Sequence, residues 1–423
     1  MNIGYASMAL GVENAGITTC RQSNATPARL TQLIAQNLSA LAAMLTYNAK
    51  NGIRLYRISS DIIPFGSHEA NTLCWWEDFS VQFQQLASTL QSSGMRVSMH
   101  PGQYTVLNSE KASVVQRAMD DLAYHARLLD CLGTDYKSKL VLHLGSVTGG
   151  KTCALARFRS HFASLPESVK QRLVIENDDR FYHIGDVLET AAALGIPAVF
   201  DTLHHSINHC GDTRPVEDWI IECSHTWQPA DGNQKIHYSQ QSAHKRPGAH
   251  SNTIRIREFL AFCKSLPNPD IDVMLEVKDK NLSAVKCILC TTPNQEMKAL
   301  EQEWALYKYL VLEKSPQSYH TIRQLLKDKS SYPALTFYET LEAALQQPYH
   351  AGNARNAALH VWGYFKALTD EKERKQFSAL IARLNAETPG YEILKRFLYR
   401  LAHKYEVQYL LNSLYFLDMG NDA

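Results

Sequence analysis

The sequence of 423 residues lacks several features that would assign it to a class of protein at once. It has no apolar run of the ~18 residues that a membrane-spanning helix needs. Its first residues, MNIGYASMALG, have neither the basic start nor the long apolar core of a secretory signal. We therefore expect a cytoplasmic protein with no membrane partner. The net charge is only +1, so a nucleic-acid partner would need a local basic surface.

Cysteine is scarce and unevenly placed. All nine cysteines precede residue 291, and their spacings do not form the pairs of a disulfide framework. Cys287 and Cys290 make one C-x-x-C motif, but no second pair lies nearby, so the motif does not indicate a zinc or redox site. Glycine-rich nucleotide-binding motifs and a serine elbow are also absent. Reduced thiols in a cytoplasm are the simplest interpretation.

The first two thirds of the chain alternate between short apolar runs and stretches with apolar residues at helical spacing. Eight strand–helix units of this kind require parallel strands and right-handed crossovers, and they close into a (β/α)8 TIM barrel, an α/β fold. The predicted strands are NIGYASM, LYRISSD, RVSMHP, KLVLHLG, RLVIEND, PAVFDT, KIHYSQ and IDVMLEV. The first four predicted helices are Thr26 to Ala49, Trp75 to Leu90, Lys111 to Leu132 and Cys153 to Val169.

The character of the chain changes after TTPNQE (291–296), which we interpret as a linker. Beyond it there are no cysteines, 12 of the 20 tyrosines, and helical patterns throughout. We therefore predict two domains, a barrel over 1–295 and a smaller all-α domain over 296–423. Helices of the second domain are predicted at Trp304 to Leu312, Leu341 to Gln346, Asn356 to Lys366, Glu373 to Leu384 and Ile393 to Tyr405.

Residues that can bind divalent metals accompany six successive predicted strands, the third to the eighth. Because the carboxyl ends of barrel strands converge on one face, we expect these side chains to meet there. A single histidine after a buried strand is more often a hydrogen-bonded core residue, but the joint pattern favours a metal site. The set is His100, His143, Glu176, Asp201, His204, His237, His250 and Glu276.

Five histidines and three carboxylates exceed the needs of one ion. Imidazole and carboxylate together suit zinc, manganese or iron, and the lack of thiolates argues against a structural zinc site. Two metals ~3.5–4 Å apart can hold both the attacking and the leaving oxygen of a phosphodiester. The sequence therefore predicts a cluster of two to three divalent ions.

The motifs around these residues resemble the UV damage endonuclease family. The matching stretches are GYAS, GIRLYRISSDIIPFGSH (52–68), VSMHPGQYTVLNS (97–109), LVLHLG, LVIENDD, VFDTLHH, KIHYS and MLEVKDK, which span residues 1 to about 290. The resemblance implies a DNA-repair endonuclease that cuts one strand immediately 5′ of a cyclobutane dimer, a 6-4 photoproduct or an abasic site. It also implies manganese, with magnesium or zinc as alternatives, and damaged double-stranded DNA as partner. A nucleoid-associated location follows from that partner.

The resemblance also implies roles for single residues. The catalytic set would be Glu176, Glu276, His143 and Lys235, and the DNA-binding set Tyr5, His68, Gln103 and Tyr104. Gln103 and Tyr104 match the lesion-probing pair of the family, because an amide and an aromatic ring suit insertion between stacked bases. Lys235 precedes His237 by two residues and so lies on the same side of its strand. We expect its side chain to face phosphate, or to be neutral or carboxylated.

By the same resemblance, His100, His143 and Glu176 would share one ion. A second would be surrounded by Glu176, Asp201, His237 and Glu276, and a third would be held by His204 and His250.

Residues 304–418 resemble the YbgA-like family, a helical domain of unknown role. The segment carries Arg396, Arg400 and Lys404 and several tyrosines at helical spacing, which would suit a nucleic acid or another repair protein. A tyrosine-rich core with a solvated basic face is the simpler interpretation. A sugar isomerase or epimerase on the same barrel, an AP endonuclease, and a non-enzymatic role in partner docking stay open as alternatives.

Overall fold

The computed structural model describes residues 1–209, 211–293, 295–384 and 389–417. The chain divides into two compact units, Met1–Ile254 with Ala261–Ile288, and Arg255–Leu260 with Leu289–Ala423. Asn294, inside the predicted linker TTPNQE, lies outside the described residues. The domain division predicted at 295 and 296 stays a prediction. No helix among the described residues has both the length and the apolar character needed to cross a membrane.

The first unit is a closed barrel of eight parallel strands, which confirms the predicted TIM barrel. Each strand pairs with the next in sequence order, and the last pairs with the first through Gly4 opposite Met274. The strands are β1 Ile3–Ala6, β2 Leu55–Ile58, β3 Arg96–Met99, β4 Leu140–His143, β5 Leu173–Glu176, β6 Ala198–Asp201, β7 Lys235–Tyr238 and β8 Asp272–Leu275.

The helices that follow the strands agree with the sequence pattern, with two interruptions. The first helix starts where Thr26 caps it, with the Thr26 side chain accepting a hydrogen bond from the Arg29 backbone N at 3.3 Å. The predicted second and fourth helices are each divided in two, the fourth before Pro166, where proline disfavours helical backbone in the preceding residue. In chain order the helices up to residue 291 are α1 Pro27–Lys50, α2 Trp75–Asp78, α3 Ser80–Ser93, α4 Ala112–Cys131, α5 Lys151–Ala163, α6 Glu167–Lys170, α7 Ile184–Leu194, α8 Thr202–Ile207, α9 Val216–Ser224, α10 Ile256–Ser265 and α11 Asn281–Thr291.

A layer of valines fills the barrel beneath its carboxyl end. Val141, Val174 and Val199 are fully buried and pack together. Each stands two residues before the end of its strand, so its side chain lies on the same strand face as the terminal residue. The terminal residues of β4, β5 and β6 are His143, Glu176 and Asp201. The apolar layer therefore forms the floor on which the predicted ligands stand.

The second unit is helical throughout its described residues, which confirms the predicted all-α region. Its core includes Trp362 stacked on Phe377, with ring centroids 4.0 Å apart, and a buried hydrogen bond from the Tyr391 hydroxyl to the Tyr415 hydroxyl at 2.8 Å. The helices wholly within this unit are α12 Met297–Lys314, α13 Pro316–Leu325, α14 Ala334–Leu345, α15 Ala351–Trp362, α16 Glu371–Ala382, α17 Pro389–Lys404 and α18 Gln408–Leu411. Helices α13 and α18 were not among the predicted ones.

Candidate metal centre

Glu176, the last residue of β5, lies at the centre of a histidine cluster and is almost fully buried. One carboxylate oxygen is 2.8 Å from His237 Nδ1, and the other is 3.2 Å from His100 Nε2. His143 Nε2 and His204 Nδ1 each lie 3.9 Å from the same carboxylate. Four strand ends therefore supply imidazoles to a single carboxylate.

Two further carboxylates extend the cluster on either side of Glu176. Glu276, directly after β8, has one oxygen 3.4 Å from His237 Nδ1 and the other 3.6 Å from His250 Nε2. Asp201 Oδ1, at the end of β6, lies 3.8 Å from His204 Nδ1. The structure thus brings all eight sequence-predicted ligands into one continuous chain of contacts.

Three groups within this chain could each hold an ion, because their ligand atoms all lie within 4.8 Å of one another. Glu176 belongs to every one of them. The groups are His100, His143 and Glu176; Glu176, Asp201 and His204; and Glu176, His237 and Glu276.

Local backbone structure orients the Asp201–His204 pair. Asp201 is the N-cap of α8, and its Oδ1 accepts a hydrogen bond from the His204 backbone N at 2.7 Å. The turn from strand to helix therefore aims both side chains at one site, as the D-x-x-H spacing suggests. His204 Nδ1 lies 2.9 Å from the backbone oxygen of Asn177, a contact that fixes the ring orientation.

Electrostatics keep part of the cluster anionic. Burial would raise the pKa of Glu176, but His237 and His100 hold that pKa well below its usual range. Burial likewise opposes ionisation of Glu276, and the neighbouring Arg57 and His237 lower its pKa nonetheless. Burial raises the pKa of Asp201 to about 7. Two ionised carboxylates close together in a buried site favour a multivalent cation as their partner.

Unpartnered polar atoms test whether a metal fits this site. Asp201 Oδ2, His237 Nε2 and His143 Nδ1 are buried and have no hydrogen-bond partner. A buried polar atom without a partner costs ~1–3 kcal/mol, so three of them in one site call for an explanation. Nitrogen and oxygen donors without a thiolate suit a divalent ion such as manganese, zinc or magnesium. The residues present fit such an ion.

Arg57 belongs to the site but was missed at the sequence level. It lies in β2, and its guanidinium forms an ion pair with Glu276, a predicted ligand. Its side chain is only 15% exposed. The signal was available in RISSD, because Arg57 stands near the carboxyl end of its strand as the ligands do. Arginine is not a metal-binding residue type, so the pattern of ligands did not include it.

A second missed feature is the support of the His100 loop. The Ser60 hydroxyl donates to the backbone oxygen of His100 at 2.8 Å, and His125 Nε2 lies 2.9 Å from that hydroxyl. His125 is buried on α4, and burial lowers its pKa. This contact holds the start of the loop after β3 against α4.

Lys235 lies inside the barrel but below the ligands. It is fully buried, and its Nζ has no hydrogen-bond partner. Burial, with a further contribution from Arg96, lowers its pKa well below the usual range. The expectation that Lys235 faces phosphate is corrected, because a buried amine at the amino end of β7 does not reach a substrate. The neutral form is consistent with this burial.

Tyr5 also requires a correction. It belongs to the predicted DNA-binding set, yet it is fully buried. Its hydroxyl donates to Asn48 Oδ1 on α1 at 2.9 Å, and its ring packs against Tyr56 at 5.2 Å between centroids. The side chain therefore lies between β1 and α1, because that layer offers both an aromatic neighbour and a hydrogen-bond acceptor.

The other three predicted DNA contacts are exposed on loops after β2 and β3. Gln103 and Tyr104 follow His100 by three and four residues, and Tyr104 is 83% exposed. Tyr104 also lines a pocket of about 310 Å³ between these loops and α4. His68 is exposed, and its Nδ1 accepts a hydrogen bond from the Ala70 backbone N at 3.0 Å. These side chains are free to meet a large substrate.

Comparisons with known proteins agree with this geometry. The family described as "UV-endonuclease UvdE" matches residues 1–303, and a protein family of unknown function, DUF1722, matches residues 308–418. A UV DNA damage endonuclease of Clostridium perfringens is 37% identical over 382 residues, which cover 88% of each chain. One from Bacillus cereus is 31% identical over 263 residues, 62% of this chain and 82% of that protein. The solved structure of SacUVDE is similar with a TM-score of 0.64 and 35% identity, over 72% of this chain and 99% of that one.

Proposed function

Because this chain belongs to the UV-endonuclease family and is a DNA-repair endonuclease, we propose that it hydrolyses the phosphodiester immediately 5′ of UV lesions. The proposed lesions are cyclobutane dimers, 6-4 photoproducts and abasic sites, and the proposed products are a 3′-hydroxyl and a 5′-phosphate. The observation that supports this reaction most strongly is the continuous chain of eight ligands around Glu176. Work on chromosomal DNA would place the protein at the nucleoid.

The proposed cofactor is a set of two to three divalent ions, manganese first, with magnesium or zinc as alternatives. When bound, such ions polarise the phosphodiester and lower the pKa of the attacking water. Glu176 and Glu276 would hold them, with His143 as a ligand at the more exposed side of the cluster. Asp201 and His204 are pre-oriented by the N-cap of α8, so the protein need not reorganise when ions bind.

For Lys235 we propose a positioning role beneath His237 rather than contact with substrate. Its amine is neutral or carboxylated in this proposal, since a free ammonium without a partner would be costly in a buried position. The mass of the intact protein distinguishes the two forms, because a carboxylate adduct adds a fixed mass that an amine lacks.

Recognition of the lesion is assigned to the loops after β2 and β3. Gln103 and the exposed Tyr104 would insert at the damaged step, where base–aromatic stacking contributes ~1–3 kcal/mol per base. His68 would contact the backbone. In the helical unit, we propose that exposed Arg396 and Arg400 of α17 contact nucleic acid or another repair protein. Lys404, in the same helix, is paired with Glu373 at 2.6 Å.

The test uses the purified full chain with Mn²⁺ and plasmid DNA. Irradiated plasmid should be nicked, undamaged plasmid should not, and ends mapped on a duplex with one thymine dimer should lie 5′ of the lesion. His143→Ala and Glu276→Gln should abolish nicking without unfolding the protein. Turnover of a ketose without nicking would support the sugar isomerase instead. Cleavage confined to abasic plasmid would support an AP endonuclease.

A further inference from the structure

Three lysines stand on the loops that follow β7 and β8, at the same end of the barrel as the ligands. Lys245 lies in the loop after β7, and Lys278 and Lys280 lie two and four residues after Glu276. We call these three residues the lysine rim. The pattern of metal ligands in the sequence did not indicate these lysines, because lysine is not a usual metal ligand.

The two loops are fixed to each other by backbone hydrogen bonds. Residues 251–252, in the later part of the loop after β7, accept two hydrogen bonds from the loop after β8, and two further bonds close the loop after β7 on itself. The bonds are Ser242 N to Ala249 O at 2.8 Å, Ser251 N to Gln240 O at 2.8 Å, Lys278 N to Ser251 O at 3.2 Å and Asp279 N to Asn252 O at 3.0 Å. The lysine rim is therefore a preformed surface.

Lys245 and Lys278 are like charges held side by side. Lys245 is the electrostatic neighbour of Lys278, whose Nζ donates to Asn252 Oδ1 at 3.2 Å. Within the described part of the chain, neither lysine has a carboxylate at ion-pair distance. The carboxylate of the same loop, Asp279, interacts instead with Lys286 and Ser283. Two adjacent ammonium groups without a counter-charge are stabilised by an anion from outside the protein.

Lys280 connects the rim to the metal centre. Its φ of +50° lies in the left-handed region, which disfavours every residue except glycine and costs free energy here. Its side chain is half-buried, and its electrostatic neighbours are Arg57, Glu276 and Asp279. Lys280 therefore places a cation beside the end of the cluster that Glu276 and Arg57 form.

We propose that the lysine rim binds consecutive backbone phosphates of the DNA strand, with Lys280 nearest to the bond that is cut. The inference rests on the proposed nuclease function, because the lysine rim would bind the DNA strand that is cut near Glu276. Lysine suits this task because it acts as a flexible point charge on phosphate, and such contacts carry no sequence information. The rim should therefore serve damaged and undamaged duplexes equally.

The experiment measures affinity of the full chain for duplex DNA against salt, with and without one thymine dimer. Calcium replaces manganese so that no strand is cut during the titration. The slope of log K against log salt should become shallower by ~0.9 for each phosphate contact removed. We expect a loss of one contact for Lys280→Gln and of two for the double change Lys245→Gln with Lys278→Gln, on both duplexes. Lys170→Gln, on α6 at the opposite end of the barrel, is the matched control and should leave the slope unchanged.

One further variant and one further measurement separate a phosphate contact from a structural effect. Lys280→Arg keeps the charge and the backbone cost and should retain the slope of the native protein. Metal content should be equal in all rim variants. A loss of metal in Lys280→Gln would overturn the role of Lys280 and show that it acts on Glu276.

The inference and the function fail in different ways. If the slopes are unchanged in every rim variant and the native chain nicks irradiated plasmid, the lysine rim does not bind phosphate, and the proposed nuclease function stands. No nicking by the native chain would refute the nuclease, whatever the slopes. Absence of DNA binding by the native chain would refute both.

Discussion

The barrel and the helical unit both bury ionisable groups, but they treat them differently. At the mouth of the barrel, buried atoms of Asp201, His237 and His143 lack hydrogen-bond partners. In the helical unit, buried Lys395 pairs with Glu313 at 3.1 Å and lies over two tyrosine rings. Of the buried side-chain atoms without a partner in the described parts of the chain, only the Tyr332 hydroxyl belongs to the helical unit. The barrel therefore has unpartnered ligand atoms at its mouth, whereas the buried ion pair of the helical unit is satisfied within that unit.

The largest effect on this contrast is expected from Glu176→Gln, which changes the metal centre. The change keeps the size of the side chain but removes the charge that four histidines share, so metal binding should fall by more than the ~10–100-fold typical of losing an outer-shell partner. Incision should fall at least as far. Metal analysis of the purified protein and plasmid nicking measure both. The exposed Glu189→Gln is the matched control, and full metal content in Glu176→Gln would contradict the assignment.

In the helical unit, the corresponding change is Glu313→Gln. It leaves Lys395 buried without its counter-charge, and breaking a buried pair in this way costs ~3–5 kcal/mol. Denaturant unfolding followed by circular dichroism should show that loss, while metal content per folded molecule stays constant. The exposed pair Lys375–Glu371 provides the control, because disrupting it should cost less than ~1 kcal/mol. A loss of metal in Glu313→Gln would contradict the separation of the two regions.

A pH titration sharpens the comparison further. Burial raises the pKa of Glu303 in the helical unit to about 7, although the Tyr338 hydroxyl donates to it at 3.0 Å. The folded state then holds this proton more tightly than the unfolded state. The contribution of protonated Glu303 to the free energy of unfolding is full below pH ~4.5. It is lost as the pH rises to ~7, a change of ~3 kcal/mol.

Glu303→Gln should remove that decline in stability. At pH 8 the helical unit of the variant should be more stable than the same unit in the native protein. Thermal unfolding at pH 5 and pH 8 measures the difference, with exposed Glu392→Gln as the control. A decline that persists unchanged in Glu303→Gln would show that another group is responsible.

The smallest effect is expected at the exposed loops. Tyr104→Ala should weaken binding to a duplex with one thymine dimer by ~1–3 kcal/mol, because a stacking surface is lost. Binding to undamaged duplex and metal content should change little. Gln103→Ala should act in the same direction. Equal losses on both duplexes would mean that these residues do not probe the lesion.

The barrel could be predicted from the sequence because a metal-binding residue recurs at or near the end of one apolar run after another. Each apolar run ends at the face where the ligands meet, so His143 and Glu176 revealed both the strand end and the site. The direction of individual side chains was less accessible. Tyr5 turns toward Asn48 on α1, a partner 43 residues away that no local pattern indicates.

Partners that meet only after closure of the barrel were also beyond the sequence. Arg57 and Glu276 lie 219 residues apart, and the local sequence around each residue does not indicate the other as its partner. The loops that carry Lys245 and Lys278 meet only through backbone hydrogen bonds between the segments after β7 and β8. Local periodicity predicts helices and strands, but tertiary packing determines which distant side chains come into contact.

Glu176 is common to all three candidate ion groups. Ions bound there could not be counted as independent sites, because each would reposition or neutralise a ligand that its neighbours also use. Occupancy of the three groups should therefore be coupled, and a metal titration of the protein should deviate from the curve for independent sites.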